Sequence, residues 1–419
     1  MSYVKHSKCI ACGATYPNDN LLNLCPVDNR PLELILDVAR LSHEQNAFAW
    51  YRPDLNSMWR FGALLALDIN NLCDAKNIVS LGEGYTPEIP LNNHPLATNH
   101  GFSLYLKDEG QPHKGWGANP TGSFKDRGMS MAISMARYHG IKKVVVPTQG
   151  NAGDSLLEYA LVADIESVII MPDDTPMPIL GRVSAAAKAG TNVKIELVKG
   201  TIKEAGQLMR EKYLPLGYFN MATFQEPGWR IEGKKTLGLE LAEPKDGKSQ
   251  PWKLPDVVLY PTGGGTGILG MWKAFGELEA LGLIDERRPR IIAVQAEHTA
   301  PVVKAFQNED RDTIAETPGE TIATGLNVPG GGVGHFKVLE IIRESKGAAI
   351  AVSESMIERN LKSIYQDYGI WICPEGAATI AALESVLDTG LIKSGDKVVA
   401  FNTGSFEKYL PNVRHLIFS

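Results

Sequence analysis

Asp256-Val-Val-Leu-Tyr-Pro-Thr-Gly-Gly-Gly-Thr-Gly-Ile-Leu-Gly-Met-Trp-Lys-Ala-Phe275 carries three signals in succession. A short β-branched run ending at Tyr260 reads as a buried strand. From Ile268 the pattern reads as a helix. Between them, Pro261 to Gly267 sets three consecutive glycines between two threonines. No lysine follows, so this is not a Walker loop, and the spacing is not the G-x-G-x-x-G of dinucleotide folds. It suits a phosphate cradle, in which glycine N–H groups point inward, threonine hydroxyls add donors and the helix N-terminus adds positive potential. A dense glycine run costs conformational entropy, so a mere flexible turn is the weaker reading.

The same alternation recurs on both sides. Lys143–Val146, Ser167–Ile170, Val193–Leu197, Ile291–Val294 and Lys397–Phe401 read as further strands, separated by longer stretches of helix-forming composition. This is the βαβ signature of an α/β fold with mostly parallel sheets covered on both faces. In such sheets ligands bind beyond the carboxyl ends of the strands.

One lysine stands out upstream, in Asn119-Pro-Thr-Gly-Ser-Phe-Lys-Asp-Arg-Gly-Met129. A turn of small and hydroxyl residues becomes a helix here. Ser123 is expected to cap it, Met129, Ala132, Ile133 and Ala136 to line it, and Gly140 to stop it. Lys125 falls at the helix N-terminus, where a cation is disfavoured by up to ~1 kcal/mol. Chemistry explains it better than structure, because a neutral lysine forms Schiff bases with carbonyls, pyridoxal phosphate included.

Two more strand-to-helix loops offer matching groups. Pro147-Thr-Gln-Gly-Asn-Ala-Gly-Asp154 presents backbone N–H groups suited to a substrate carboxylate, with Thr148, Gln149 and Ala152 as substrate-binding candidates and Asn151 adding an amide. Asn402-Thr-Gly-Ser405 offers a hydroxyl for a ring nitrogen. Each loop alone reads as an ordinary cap or turn. A lysine, a phosphate loop, a carboxylate loop and a hydroxyl together are what pyridoxal phosphate requires.

Composition sets the frame. The chain has 419 residues, 44% hydrophobic and 21% charged, with a net charge of −6. Such a chain holds two or three domains and is poorly suited to nucleic acid or an anionic membrane. No apolar run approaches the ~20 residues of a membrane span, and the first residues lack a signal peptide's apolar centre. A cytoplasmic protein is expected. Five cysteines in this length do not form a disulfide scaffold. Cys9-x2-Cys12 and Cys25-x2-Asp28 nonetheless have zinc-ribbon spacing, with aspartate in the fourth position. Three readings stand: zinc on Cys9, Cys12, Cys25 and Asp28; zinc with His6 as the substitute; or a knuckle folded without metal. The expected divisions are a zinc-ribbon-like module at 1–35, a mainly helical segment at 36–100, a smaller α/β domain at 101–215 carrying Lys125 and Asn151, and a larger one at 216–419 carrying the glycine loop and Thr403.

These motifs resemble the threonine synthase family of fold-type II pyridoxal phosphate enzymes. Asn119–Met129 is similar to its lysine motif, and Leu81-Gly-Glu-Gly-Tyr-Thr-Pro87 to its upstream element. Arg230-Ile-Glu-Gly-Lys-Lys-Thr236, Pro261–Phe275, Val294-Gln-Ala-Glu297, Cys373-Pro-Glu-Gly376 and Asn402–Ser405 follow in the family's order. The resemblance implies two open doubly wound sheets. It implies that Lys125 holds the cofactor as a Schiff base and acts as acid and base, that Asn151 faces the ring's phenolate oxygen, that Gly263, Gly264, Gly265, Thr266 and Gly267 bind the cofactor phosphate, and that Thr403 faces the pyridine nitrogen. Some positions depart from the pattern. Asn220–Gly228 stands where the family often has Asn-Ser-x-Asn-Pro, which helps hold the substrate's phosphate. Gly200-Thr-Ile-Lys203 replaces a Gly-Asn-Phe-Asp, and Asn327 replaces an arginine.

The implied activity is conversion of O-phospho-L-homoserine and water to L-threonine and phosphate. A β-eliminating or β-replacing enzyme acting on serine, threonine or a phosphoserine-like compound is the alternative, and a non-catalytic cofactor or amino-acid binder is a more distant one. The expected partners are a small amino acid and a second copy of the chain; the aromatics around Trp50 and Trp59 read first as packing against the main body, with a dimer contact as the other use open to them.

Overall fold

The computed structural model describes residues 3–44, 49–244 and 251–417. In chain order its strands are β1 (Val4–Cys9), β2 (Thr15–Tyr16), β3 (Leu32–Leu36), β4 (Glu88–Pro90), β5 (Ser103–Asp108), β6 (Lys143–Pro147) and β7 (Glu166–Pro172). They continue with β8 (Val193–Val198), β9 (Phe219–Asn220), β10 (Val257–Pro261), β11 (Arg290–Ala296), β12 (Ala348–Val352) and β13 (Lys397–Asn402). Five helices border the functional loops: α1 (Lys125–Tyr138), α2 (Asn151–Ala163), α3 (Trp229–Ala242), α4 (Thr266–Ala280) and α5 (Pro374–Ala381).

Two compact units divide the chain. Unit 1 takes Met1–Gly84 and Asn119–Leu237, and unit 2 takes Tyr85–Ala118 and Gly238–Ser419. Neither is contiguous, unlike the expected division at 215 and 216. The reason is strand pairing. β5 joins β13 by parallel pairing from Ser103↔Lys397 to Asp108↔Asn402, and β9 joins β6 through Val144↔Phe219 and Val145↔Asn220.

Unit 1 holds an all-parallel sheet of order β8-β7-β6-β9. From β6 the chain moves outward to β7 and β8, then returns to place β9 on the other side. The carboxyl ends of β6 and β9 therefore flank a topological switch point, where open α/β sheets leave a crevice for ligands. Val145, Val168 and Ile170 in these strands pack with Ala205, Met209 and Tyr213. A separate three-stranded antiparallel sheet of order β2-β1-β3 forms the N-terminal module.

Unit 2 has a six-stranded sheet of order β12-β11-β10-β13-β5-β4, parallel except for β4 at the edge. Its core is apolar on both faces of the central strands, as buried parallel strands require, with Leu259, Ile292 and Val398 buried on one face and Val258, Ala293 and Val399 on the other. The reversal of order lies between β10 and β13.

Residues 36–100 are not mainly helical. They hold short helices at Val38–Glu44, Leu72–Ala75 and Pro95–His100, and a 3₁₀ stretch at Met58–Leu64 interrupted at Gly62, where φ is +45°. A Cβ on Gly62 would lie 2.0 Å from the Trp50 carbonyl oxygen, so the backbone turns sharply there. Trp50, Tyr51, Trp59 and Phe61 are buried within the chain, in line with the packing role expected of them. Trp59 Nε1 donates to Glu83 Oε1 at 2.9 Å and to Ser130 Oγ at 3.1 Å. Glu83, from the Gly-Glu-Gly element, also accepts from the Tyr159 hydroxyl at 2.8 Å.

Candidate active site

In unit 1, the loop after β6 runs through Thr148, Gln149 and Gly150 into α2. The Gly150 N–H donates to Thr148 Oγ1 at 3.1 Å. No side chain caps α2, whose first residue is Asn151, so its first-turn N–H groups suit an anion. Gln149 and Asn151 are half-buried, while Thr148 and Ala152 are buried.

Lys125 is the first residue of α1, preceded by Phe124 in helical geometry with no side-chain cap. Ser123 is therefore not the cap that the sequence suggested. Asp126 does comparable work from inside the helix, accepting from the Thr121 N–H at 2.8 Å and hydroxyl at 2.7 Å. That fixes the turn and leaves the buried Ser123 Oγ with no protein partner.

The neighbour of Lys125 is another lysine. α1 and α3 approach closely at two glycines: a Cβ on Gly233 would lie 2.1 Å from the Arg127 carbonyl oxygen, and one on Gly128 would lie 3.2 Å from Lys234 Cε. The Phe124 ring consequently meets both amines, with Lys125 Nζ 4.6 Å and Lys234 Nζ 5.0 Å from its centroid. Burial, with the Lys125 and Arg230 charges close by, pushes the Lys234 ammonium well below the usual lysine range. Arg230 is lowered and Glu226 raised by the same burial. Arg230 Nη1 donates to the Met221 carbonyl at 3.1 Å, and its N–H to Glu226 Oε2 at 3.2 Å. Arg230 Nε and Glu226 Oε1 are buried without a protein partner. Arg230 and Lys234 lie in the Arg230–Thr236 motif, with no role legible from the sequence. Nothing local marks them, because their proximity to Lys125 is made by the helix crossing.

In unit 2, the glycine loop leaves β10 and Asn402-Thr-Gly-Ser405 leaves β13, again on two sides of a switch point. The loop admits little beyond glycine. A Cβ would lie 2.7 Å from the Gly325 carbonyl oxygen at Gly263, 2.3 Å from Val338 Cγ2 at Gly265, and 2.0 Å from the Tyr260 hydroxyl at Gly267. Gly265 also has φ +78°, and α4 begins directly after it with no side-chain cap. His335, which sequence reasoning missed, braces this loop. Its Nε2 donates to the Gly263 carbonyl at 3.1 Å, and Thr313 Oγ1 lies 2.9 Å from Nδ1. A carbonyl only accepts, so Nε2 carries the hydrogen, and burial keeps the ring neutral by lowering its pKa. The glycine-rich stretch Gly330-Gly-Gly-Val-Gly334 before it was the one available signal.

Motifs far apart in sequence meet in this unit. The Gly325 N–H donates to Glu375 Oε1 at 2.7 Å. Asn402 Oδ1 accepts from the Cys373 N–H at 2.9 Å, and its Nδ2 donates to Asp108 Oδ1 at 2.7 Å. Thr403 is buried beside them. Asn327, where the family pattern has arginine, accepts from the Thr299 hydroxyl at 2.7 Å and donates to the Gly319 carbonyl at 3.1 Å. It serves as a loop brace.

At the N-terminus, the donor atoms of Cys9, Cys12, Cys25 and Asp28 all lie within 4.8 Å of one another. Cys12 Sγ and Cys25 Sγ are 3.7 Å apart, and Cys9 Sγ is 3.4 Å from both Asp28 oxygens. His6 is placed in the β1–β3 ladder opposite Ile35, and the four converging donors do not include it.

Comparison with known proteins identifies the chain's family. The family described as "Pyridoxal-phosphate dependent enzyme" matches residues 79–404. A threonine synthase of Methanocaldococcus jannaschii is 32% identical over 95% of this chain and 91% of its own length. One from Methanosarcina acetivorans is 31% identical over 96% and 92%. Among solved structures, threonine deaminase isoform 2 of Solanum lycopersicum superposes with a TM-score of 0.62 at 22% identity, covering 81% of this chain and 89% of that one. At that identity the likeness speaks for the fold.

Proposed function

The chain belongs to the pyridoxal-phosphate-dependent enzymes and, among them, to the threonine synthase family, and from that premise we propose that it converts O-phospho-L-homoserine and water to L-threonine and phosphate. The residues present fit the cofactor. A loop that a Cβ would fill at three positions, ahead of a helix whose N-terminus no side chain caps, suits its phosphate. A half-buried lysine beside the orphaned Ser123 hydroxyl suits its aldehyde and the polar groups around it.

When bound, pyridoxal phosphate supplies a carbonyl for amine exchange and a ring that accepts negative charge from the substrate's α carbon. Lys125 would hold the cofactor at rest, then take the proton from the substrate's α carbon and return it at the end. One amine placed over that carbon serves both transfers. Gly263, Gly264, Gly265, Thr266 and Gly267 would hold the phosphate, Asn151 the phenolate oxygen and Thr403 the ring nitrogen. A neutral hydroxyl at that nitrogen leaves the ring less protonated than a carboxylate would. Thr148, Gln149 and Ala152, at the start of α2, would take the substrate carboxylate.

The observation that carries the choice of substrate is the pair of amines on the Phe124 ring, Lys125 Nζ at 4.6 Å and Lys234 Nζ at 5.0 Å from its centroid, with buried Arg230 one helical turn before Lys234 and Glu226 close to both Arg230 and Lys234. Burial disfavours the charged form of Lys234. A phosphate ester arriving beside it would favour the charged form and make charge-assisted hydrogen bonds to both Lys234 and Arg230. Serine and threonine bring no such group. This cluster offers a phosphate grip where Asn220–Gly228 departs from the family pattern. The deciding assay compares phosphate release from O-phosphohomoserine with ammonia release from threonine. Ammonia as the dominant product would overturn the assignment in favour of an ammonia-lyase.

We also infer zinc in the N-terminal module. Thiolates held about 2.3 Å from a tetrahedral zinc lie roughly 3.8 Å apart, and the Cys12–Cys25 separation of 3.7 Å matches that edge. Four protein donors close the site, so the metal's role would be structural. A homodimer in the cytoplasm is the state we propose for the assembled enzyme, on family resemblance.

A further inference from the structure

The N-terminal module does more than cover the chain's first strands. Asn23, two residues before Cys25, points its amide into the loop that follows β9. Its Nδ2 donates to the Asn220 carbonyl at 3.1 Å and to the Gln225 carbonyl at 2.5 Å. The loop's far end touches the module a second time. Gly228, with φ +77°, lies so close to β3 that a Cβ would come within 2.7 Å of the Leu32 carbonyl oxygen and 2.8 Å of Glu33 Cα. Leu32 in turn pairs with Cys9, one of the four donors.

The loop so held has little regular structure of its own. Phe224 sits at φ +64°, a conformation unfavourable for a residue with a Cβ. Asn220 Nδ2 donates to Gln225 Oε1 at 3.1 Å, and Asn220 Oδ1 accepts from the Ala222 N–H at 2.8 Å. The ends are pinned where Trp229 stacks on Phe219 with centroids 5.3 Å apart. From this loop Met221 and Glu226 reach Arg230, and one helical turn later stands Lys234, beside Lys125. An unbroken path of contacts within unit 1 runs from the cysteine clip to the cation cluster.

We propose that the Cys9, Cys12, Cys25 and Asp28 clip, closed by one zinc ion, holds the 220–228 loop in its substrate-binding shape, with Asn23 as the positioning residue. The inference rests on the reading of that loop and of Arg230 as the substrate's phosphate site. With the clip open, the Cys12 to Cys25 segment that presents Asn23 loses its anchor. The two carbonyls then lose their donor and the loop gains alternative conformations. Zinc would thus govern affinity for the phosphorylated substrate while leaving cofactor attachment at Lys125 alone.

The test uses the full-length holoenzyme in three forms: as purified, stripped of zinc with a chelator, and as Asn23→Ala. Metal analysis of the first should give about one zinc per chain. Hydrogen exchange followed by mass spectrometry should show amides of 219–228 exchanging faster in the second and third forms, by about tenfold for the loss of one to two hydrogen bonds. The β6 amides and the cofactor's absorbance should be unchanged. KM for O-phosphohomoserine should rise by a similar factor with kcat nearly constant, and re-added zinc should restore the stripped enzyme but not Asn23→Ala. Unchanged exchange in 219–228 in both altered forms would overturn the proposal, even with threonine production intact. So would a purified protein that binds no metal. If exchange responds as expected but O-phosphohomoserine is not a substrate, the strut stands and the substrate reading falls.

Discussion

Two buried lysines, one in each unit, sit in opposite electrostatic settings. Lys107 in unit 2 is fully enclosed by acceptors. Its Nζ lies 2.7 Å from Glu240 Oε2, 2.6 Å from the Thr86 hydroxyl and 3.8 Å from Glu109 Oε1, and it donates to the Thr86 carbonyl as well. The Thr86 hydroxyl completes the group by donating to Glu109 at 2.5 Å. Lys234 in unit 1 instead looks across the Phe124 ring towards a second lysine, with Arg230 near. The next residue sharpens the contrast, since Lys235 pairs with Glu232 at 2.5 Å with both side chains fully buried. Two cations, Lys125 and Arg230, lie close to Lys234, with Glu226 as an opposing carboxylate. Burial of that kind costs stability unless a ligand brings the counter-charge. On the proposed function, the paired lysine belongs to structure and the crowded one to substrate binding.

Three experiments bear on that contrast. Replacing Lys125 with alanine should have the largest effect. On the proposed roles this removes the cofactor's attachment and the base, so the resting visible absorbance should vanish and turnover fall by roughly a thousandfold or more. A variant that keeps full activity would sink the whole assignment. Next, Glu240→Ala should leave the Lys107 charge buried with its ion pair broken and cost about 3–5 kcal/mol in denaturant unfolding. Lys234→Met, of similar size and without charge, should cost less than about 1 kcal/mol or stabilise the fold, while raising KM for O-phosphohomoserine by about 10–100-fold. Equal destabilisation by the two variants would erase the distinction.

The smallest effect is in the pH dependence of stability. The folded pKa of Lys234 is depressed, whereas in the unfolded chain it titrates near its ordinary value of about 10.4. Between those two values the unfolded state holds the extra proton, so stability should rise with pH across that window. Urea unfolding at a series of pH values should show that rise in the native protein and a flatter curve in Lys234→Met. Parallel curves would mean that Lys234 keeps its proton.

The parts of the site that could be read from sequence were those whose chemistry is local. Lys125, the glycine run, the loop at Asn151 and the four donors of the clip each announce themselves by spacing within a few residues. The parts that could not be read depend on packing. Lys234 acquires meaning only where Gly128 and Gly233 let two helices touch, and His335 only where it meets the Gly263 carbonyl. The fold divides in the same way. The valine- and isoleucine-rich strands were visible, but β12, Ala-Ala-Ile-Ala-Val, has weak intrinsic preference and is a strand because β11 pairs with it. The apolar stretch Met58–Leu65 is buried on all sides, so its lack of helical periodicity was no guide to its 3₁₀ path.

The strand order of unit 2 also has a bearing on how the protein is made. β5 lies next to β13, the last of the described strands in chain order, and every strand of the unit 1 sheet precedes residue 221. At roughly 5–20 residues per second, β5 waits on the order of tens of seconds on the ribosome for its neighbour. The unit 1 sheet has all its strands long before. A messenger truncated shortly before Lys397 would yield one unit with its sheet complete, and another with β5 and β10 as open edges, ready to pair with whatever strand comes first.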